Sequence, residues 1–261
     1  MKYVEADPEN FVKTKFDSWE DFKDHVFIRL INKKIVDTQS EFDNVIKVPF
    51  MDLYKLFYVR EVDRKEDVVR GYTLKQDDMK RWNVKFKKLS QQASNNMNSD
   101  RKRRVKTFKD SIVADMKMGP ILRIPDHFKD MIAVGGSGGV PASIEDPKED
   151  TDPQNVLIVT NSMDVFGTSY MTSSKVIDEL YRAFRKENFY MLSMSQHRLM
   201  AIREGYISEE KKIPRYEYED DLFTMLDDLN NDVSNWKDVL SYRLYYFMGD
   251  DGKTIMSLKE H

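Results

Sequence analysis

The chain has 261 residues and a formal net charge of −3, with 40% hydrophobic and 33% charged residues. That length can bury a core as one large domain or two small ones, and 13 Tyr and 15 Phe argue against global disorder. The absence of cysteine excludes a disulfide framework, thiolate chemistry and a cysteine zinc site, and agrees with a reducing cytoplasm. The net charge is too small to name a partner class. The opening MKYVEADPENF has no apolar signal core, and no stretch approaches the roughly 18 apolar residues of a spanning helix, so no membrane role is expected.

In chain order, Ser18 is expected to cap a helix, with Asp21 reaching back as its capping-box partner. Phe22, Val26, Ile28, Leu30 and Ile31 give that helix a broad apolar side. Leu53 to Arg60 alternates imperfectly and is strongly aromatic, Asp63 to Asp67 is a charged turn, and Val68 to Leu74 is a second strand; 53–74 therefore reads as a β-hairpin. A short helix is expected at Gln76 to Trp82. Asn83 can cap another, carrying Val84, Phe86 or Lys87, and Leu89, and fading in SQQASNNMNSD. The basic stretch SDRKRRVKTFKD can continue a helix through Val105, Phe108 and Ile112.

Residues 99–155 read as a joint. Met116, Met118, Ile121, Leu122 and Ile124 are interrupted by Gly119-Pro120 and Pro125, and GGSGG at 135–139 leads into PASIEDPKEDTDP. This composition describes a flexible acidic tether, with a functional lid as the alternative for so long a loop. The glycine cluster lacks the Lys-Ser/Thr ending of a P-loop and the spacing of a dinucleotide fingerprint. The expected fold class is α+β: two mixed subdomains with antiparallel hairpins and packed helices, at 1–115 and 155–261, joined by a Gly-rich acidic linker over 116–154.

The most ordered signal begins at Asn155. Val156 to Val159 is a β-branched apolar run, as in a strand buried on both faces, and Thr160, Asn161 and Ser162 stop it. Ser173 or Ser174 caps a helix whose Val176, Ile177, Leu180, Tyr181 and Phe184 form one apolar face. Phe189 to Met194 and Leu199 to Ile202 read as paired strands with Ser195 and Gln196 turning the chain. Glu217 to Asp232 holds Glu217, Glu219, Asp220, Asp221, Asp227, Asp228 and Asp232, while Leu222, Met225, Leu226 and Leu229 keep helical spacing; this is an amphipathic helix with an acidic outer face. Tyr242 to Met248 and Thr254 to Leu258 form a C-terminal hairpin around Gly249-Asp250-Asp251-Gly252.

Four groups of residues bear on function. Ser195 and His197 stand two apart, with Asn161 and Asp164 in a loop able to approach them; nucleophilic catalysis needs a base within hydrogen-bond reach of the serine and a group orienting that base. The alternative is a turn whose Ser and His satisfy backbone groups. The four histidines, His25, His127, His197 and His261, form no His-x3-His pair, so neither metal nor cofactor is expected. Arg101, Lys102, Arg103, Arg104 and Lys106 are the nucleic-acid candidates, with Lys80, Arg81, Lys85, Lys87 and Lys88 upstream and Trp82 and Phe86 available to stack. Glu217, Glu219, Asp220, Asp221, Asp227 and Asp228 are the protein-interaction candidates, since an acidic face can occupy a basic groove of a partner. For both charged runs a solvated surface is the plain alternative.

Thr160-Asn161, Gly167, Phe189-Tyr190, Leu192, Ser195 and His197 stand at the positions of a pattern that resembles an uncharacterised bacterial domain-of-unknown-function family, common in gut anaerobes and on mobile elements. The resemblance extends to Trp19-Glu20, Arg29-Leu30-Ile31-Asn32, Asp52-Leu53, Val239-Leu240-Ser241 and Tyr245-Tyr246, from about residue 16 to 250. Departures are Ser193, where the family usually has Pro, and Arg198, where it usually has Glu. Many members also begin with an extra N-terminal segment, which this chain is expected to lack. The resemblance implies no activity. Together with the charge blocks it implies a non-enzymatic cytoplasmic protein-interaction module of a phage or mobile element, in its finer form an inhibitor of host defence such as a CRISPR-type nuclease. The alternatives are a hydrolase using Ser195 and His197, and a nucleic-acid-binding protein using 101–106.

Overall fold

Ser18 does start a helix: its N–H and hydroxyl both donate to the Asp21 carboxylate, and α1 follows at Trp19–Phe22. The helix is far shorter than expected. After a 3-10 turn at Lys23–His25 the chain enters strand β2, Val26–Asn32. Val26, Ile28 and Ile31 are β-branched and the run is apolar on both sides, so it carries no helical period; pairing along the strand Leu53–Asp63 decides the matter. The computed structural model describes residues 2–6, 18–63, 65–107, 155–205, 215–231, 239–249 and 254–257. The expected linker at 116–154, with its glycine cluster, and Phe108, Ile112, His127, Asp232, Asp250, Asp251, Gly252 and His261 lie outside the described residues.

The fold is α+β, built on two sheets. The first contains β1 (Lys2–Glu5), β2, β3 (Lys47–Phe50), β4 (Leu53–Asp63) and β5 (Val68–Thr73). The β4–β5 pair is the hairpin read from the sequence, and β1 adds in parallel to β5. The second sheet is antiparallel throughout, in the order β11-β10-β8-β9-β7-β6, with β6 at Arg103–Thr107, β7 at Val156–Asn161, β8 at Phe189–Ser193, β9 at Leu199–Arg203, β10 at Tyr245–Met248 and β11 at Thr254–Ser257.

β6 corrects a second expectation. The basic stretch is an edge strand and not a continued helix, and it belongs to the second sheet although it precedes residue 115. Asp100 causes the reversal: it accepts the Lys102 N–H at 2.9 Å, the Arg60 guanidinium at 2.9 Å and the Tyr170 hydroxyl at 2.7 Å. The helix before it also differs. α2 is Lys33–Thr38 and α3 is Gln76–Arg81, as the short helix predicted there. Asn83 does not cap; it sits in the left-handed region, and α4 runs from Phe86 to Ser99, through the polar stretch expected to end it. Gln91–Asn95 and Gln92–Asn96 side-chain bonds support that stretch, and buried Asn96 donates to the carbonyls of Lys23 and Val26.

α5, Ser174–Ala183, is capped by Ser173, whose hydroxyl accepts the Val176 N–H. One face of the second sheet (Leu157, Val159, Phe189, Met191, Leu199, Ala201) joins α5, α4 and the first sheet in one continuous core. Its other face (Val156, Ile158, Tyr190, Leu192, Met200, Ile202) is covered by Leu222, Met225, Leu226 and Leu229 of α6, Arg215–Asn231. The sheets are also bridged by polar contacts: Leu30 N–H to Ser169 Oγ at 2.9 Å, and Asp52 accepting from Ser241 at 2.6 Å and Tyr245 at 2.8 Å.

Candidate functional site

The end of β7 is curled by one side chain. Asn161 Oδ1 accepts the N–H groups of Met163 and Val165, and its Nδ2 donates to the Val165 carbonyl at 2.7 Å. The chain then passes through two left-handed residues, Asp164 and Phe166, into a 3-10 turn at Gly167–Thr172. Gly167 stands where the loop meets the β8–β9 connection. A Cβ there would lie 2.2 Å from the His197 carbonyl oxygen and 2.7 Å from Thr160 Cα, so only glycine permits the approach.

Two loops are laced together at this point. The His197 carbonyl accepts from Gly167 N–H at 3.0 Å and from the Thr160 hydroxyl at 3.1 Å. His197 Nδ1 accepts the Phe166 N–H at 3.1 Å, and the two rings stack 5.8 Å apart. Ser195 Oγ accepts the backbone N–H of His197 at 3.0 Å, while the Ser195 carbonyl accepts from Thr168 Oγ1 at 2.6 Å. Asp164 accepts Arg198 Nε at 2.9 Å and Arg198 Nη2 at 2.5 Å, and lies 2.9 Å from Thr160 Oγ1, whose single proton is shared between this carboxylate and the His197 carbonyl. Burial opposes ionisation of Asp164, but the bonds and charge of Arg198, with Thr160, outweigh it and hold its carboxyl below the usual range.

The junction reaches the first sheet through Arg29. Its guanidinium donates to Gln196 Oε1 at 3.2 and 3.3 Å, lies 4.3 Å over the Phe166 ring and ion-pairs with Glu5 at 3.7 Å. The structure thus brings Asn161, Asp164, Ser195 and His197 into one neighbourhood. Asn161 and Ser195 satisfy backbone groups, His197 Nδ1 takes a backbone N–H, and Asp164 faces Arg198. The carboxylate that would orient a catalytic imidazole is held by a guanidinium, and the serine oxygen accepts a hydrogen bond from an amide N–H. This chemistry fixes two loops. Sequence reasoning missed Arg198, Phe166, Gln196 and Arg29 as parts of the junction; Arg29 lies 167 residues from Gln196, so no local pattern announces the pair.

The basic run is divided by strand alternation. Arg103 is buried and ion-paired with Glu179 at 2.7 Å. Arg104 folds back on the carbonyls of Arg101 and Arg103, and Lys102 and Lys106 are half-buried, leaving Arg101 exposed. Of the upstream residues, Trp82 is buried and Phe86 exposed. In α6, Glu219 is drawn inward: it accepts from the Tyr190 hydroxyl at 2.8 Å and from Arg215 at 2.7 Å. Burial, and then this carboxylate, push the Tyr190 phenol well above its ordinary pKa. Glu217, Asp220 and Asp227 are exposed, flanked by half-buried Asp221 and Asp228. Their spacing forms a stripe about 15 Å long at 1.5 Å per residue. Arg104 and Lys106 pair opposite Thr160 and Ile158, and Ile158 packs beneath α6, so the basic edge and the acidic helix share one face of the sheet.

Among the described residues no group of three or more His, Asp or Glu side chains could hold a metal, and no helix is long and apolar enough to cross a membrane. No curated protein and no solved structure matches the chain. Residues 1–248 match the model of a family of unknown function (DUF5688), and the chain belongs to that family.

Proposed function

We propose that the protein is a non-catalytic interaction module whose acidic helix α6 seats in a basic groove of a partner protein. The observation that carries this reading is the division of α6. Its apolar side, Leu222, Met225, Leu226 and Leu229, is buried against the second sheet, while Glu217, Asp220 and Asp227 form an outward stripe on the same helix. A preformed acidic row steers toward, and is complementary to, grooves that otherwise hold phosphates. In its finer form the module is a cytoplasmic inhibitor of a host-defence nuclease, for example of the CRISPR type, encoded by a phage or mobile element. The engagement of Ser195, His197 and Asp164 in holding two loops supports this over the hydrolase reading.

The test is affinity capture from host lysate with the wild type and with Glu217→Gln/Asp220→Asn/Asp227→Asn. A stoichiometric, salt-sensitive partner recovered by the wild type and lost by the variant supports the proposal. No such partner, or equal recovery by both, counts against it.

A further inference from the structure

Helix α4 begins against its own dipole. Lys85 stands at its cap and Lys87 and Lys88 in its first turn, with no acidic residue there, whereas a helix start favours negative charge. All three lysines are exposed, and so is Phe86, at 41%. Lys88 turns away, its ammonium 5.0 Å from the centre of the Trp19 ring.

Phe86 is the end of a longer strip. Its ring meets Phe57 edge-on at 5.7 Å. Phe57 and Lys55 lie two apart on β4 and share a face. Lys55 is flanked by Leu30 on β2 and Val48 on β3, with its ammonium 4.2 Å from the Phe50 ring centre. Burial among these neighbours pushes its pKa down, with no carboxylate contributing against it. Phe57 itself is buried, so the accessible groups here are Phe50 and Lys55 on the sheet and Phe86 above Phe57, with Lys85 and Lys87 on either side of Phe86 in sequence.

We propose that this strip binds single-stranded nucleic acid, with a base stacked on Phe86 and neighbouring phosphates taken by Lys85, Lys87 and Lys55. Lysines alone fit any polyanion. The exposed ring argues for a ligand with accessible flat faces, which a duplex hides and an acidic peptide lacks. Phe86 is one of four exposed large hydrophobic residues among those described, and the one set among lysines. The surface is separate from the 101–106 run, which lies on β6 of the other sheet.

The test is fluorescence anisotropy of the full chain with a labelled oligothymidylate of about 20 nucleotides, at roughly 25 and 200 mM NaCl. Binding is expected at low salt, with a log–log salt slope of about −2 for three phosphates on a single strand. Phe86→Ala should weaken it about tenfold, as loss of one stacked base does. Lys85→Glu/Lys87→Glu, at exposed positions, should abolish it, and Arg104→Glu/Lys106→Glu should leave it unchanged. The proposal is overturned by no binding at low salt, by unchanged affinity in Phe86→Ala, by equal competition from polyglutamate or duplex, or by loss of binding in the β6 variant instead.

Discussion

Arg60 donates to Asp100 at 2.9 Å with their side chains only 5% and 4% exposed, and the pair ties β4 of the first sheet to the turn that opens the second. The Arg60 guanidinium also lies 3.6 Å over the Phe27 ring, and Tyr170 donates to the same carboxylate. Removing one partner leaves a buried charge without compensation. Asp100→Ala should cost about 3–5 kcal/mol in urea unfolding. A loss below about 1 kcal/mol would show that water reaches the guanidinium.

The same carboxylate sets a pH dependence. Burial opposes ionisation of Asp100, but Arg60, the Lys102 N–H and the Tyr170 hydroxyl together hold its pKa below the usual carboxylate range. A depressed folded-state pKa stabilises above the unfolded value and is lost as pH falls through the folded one. Stability should therefore be full above about pH 5 and decline below about pH 4. Asp164 contributes in the same direction. Asp100→Asn should flatten the decline; an unchanged slope would assign it to other groups.

Gly167 and Gly71 offer a paired comparison. At Gly167 an added Cβ meets backbone, the His197 oxygen and Thr160 Cα, whereas at Gly71 it meets the far end of the Tyr3 ring. Gly167→Ala should cost about 3 kcal/mol or more, as overpacking against backbone does, and Gly71→Ala distinctly less. Thermal unfolding of the two variants gives the order directly.

His197 should carry its ring proton on Nε2, because Nδ1 accepts the Phe166 N–H. Long-range proton–nitrogen correlation spectra read the tautomer, and an Nδ1 proton would contradict the junction described. In a hydrolase screen, wild type and His197→Ala should give equal signals, since the imidazole holds a loop; a selective loss in the variant would restore the catalytic reading.

Neutralising the α6 stripe should leave folding almost untouched. Glu217→Gln, Asp220→Asn and Asp227→Asn should each shift stability by no more than about 0.5 kcal/mol. Leu226→Ala, on the fully buried side, should cost about 2–5 kcal/mol. Circular dichroism with denaturant separates the two sides of the helix.

The elements that could be read from sequence are those whose signals are local. Val156 to Val159 is buried throughout, Ser173 does cap α5, and β8 and β9 pair across the predicted turn. Those that were misread depend on distant partners. Val26 to Ile31 is apolar on both sides and becomes a strand because β4 lies alongside. Arg103 to Lys106 looks like a basic helix until β7, some fifty residues on, draws it into a sheet and Glu179 takes Arg103. The neighbourhood of Asn161, Asp164, Ser195 and His197 was legible, and Phe166 and Arg198 stand beside these residues in the chain, but their pairing runs between two loops and Arg29 comes from a remote strand, so no spacing announces it.

The central claim is that the outward carboxylates of α6 form the working surface. The most direct measurement is the affinity of the captured partner for the wild type and for Glu217→Gln/Asp220→Asn/Asp227→Asn as salt is raised. The account predicts tight binding at low salt, a steep decline with salt, and a loss of about tenfold or more in the folded variant. Equal affinities with the same salt dependence would contradict it.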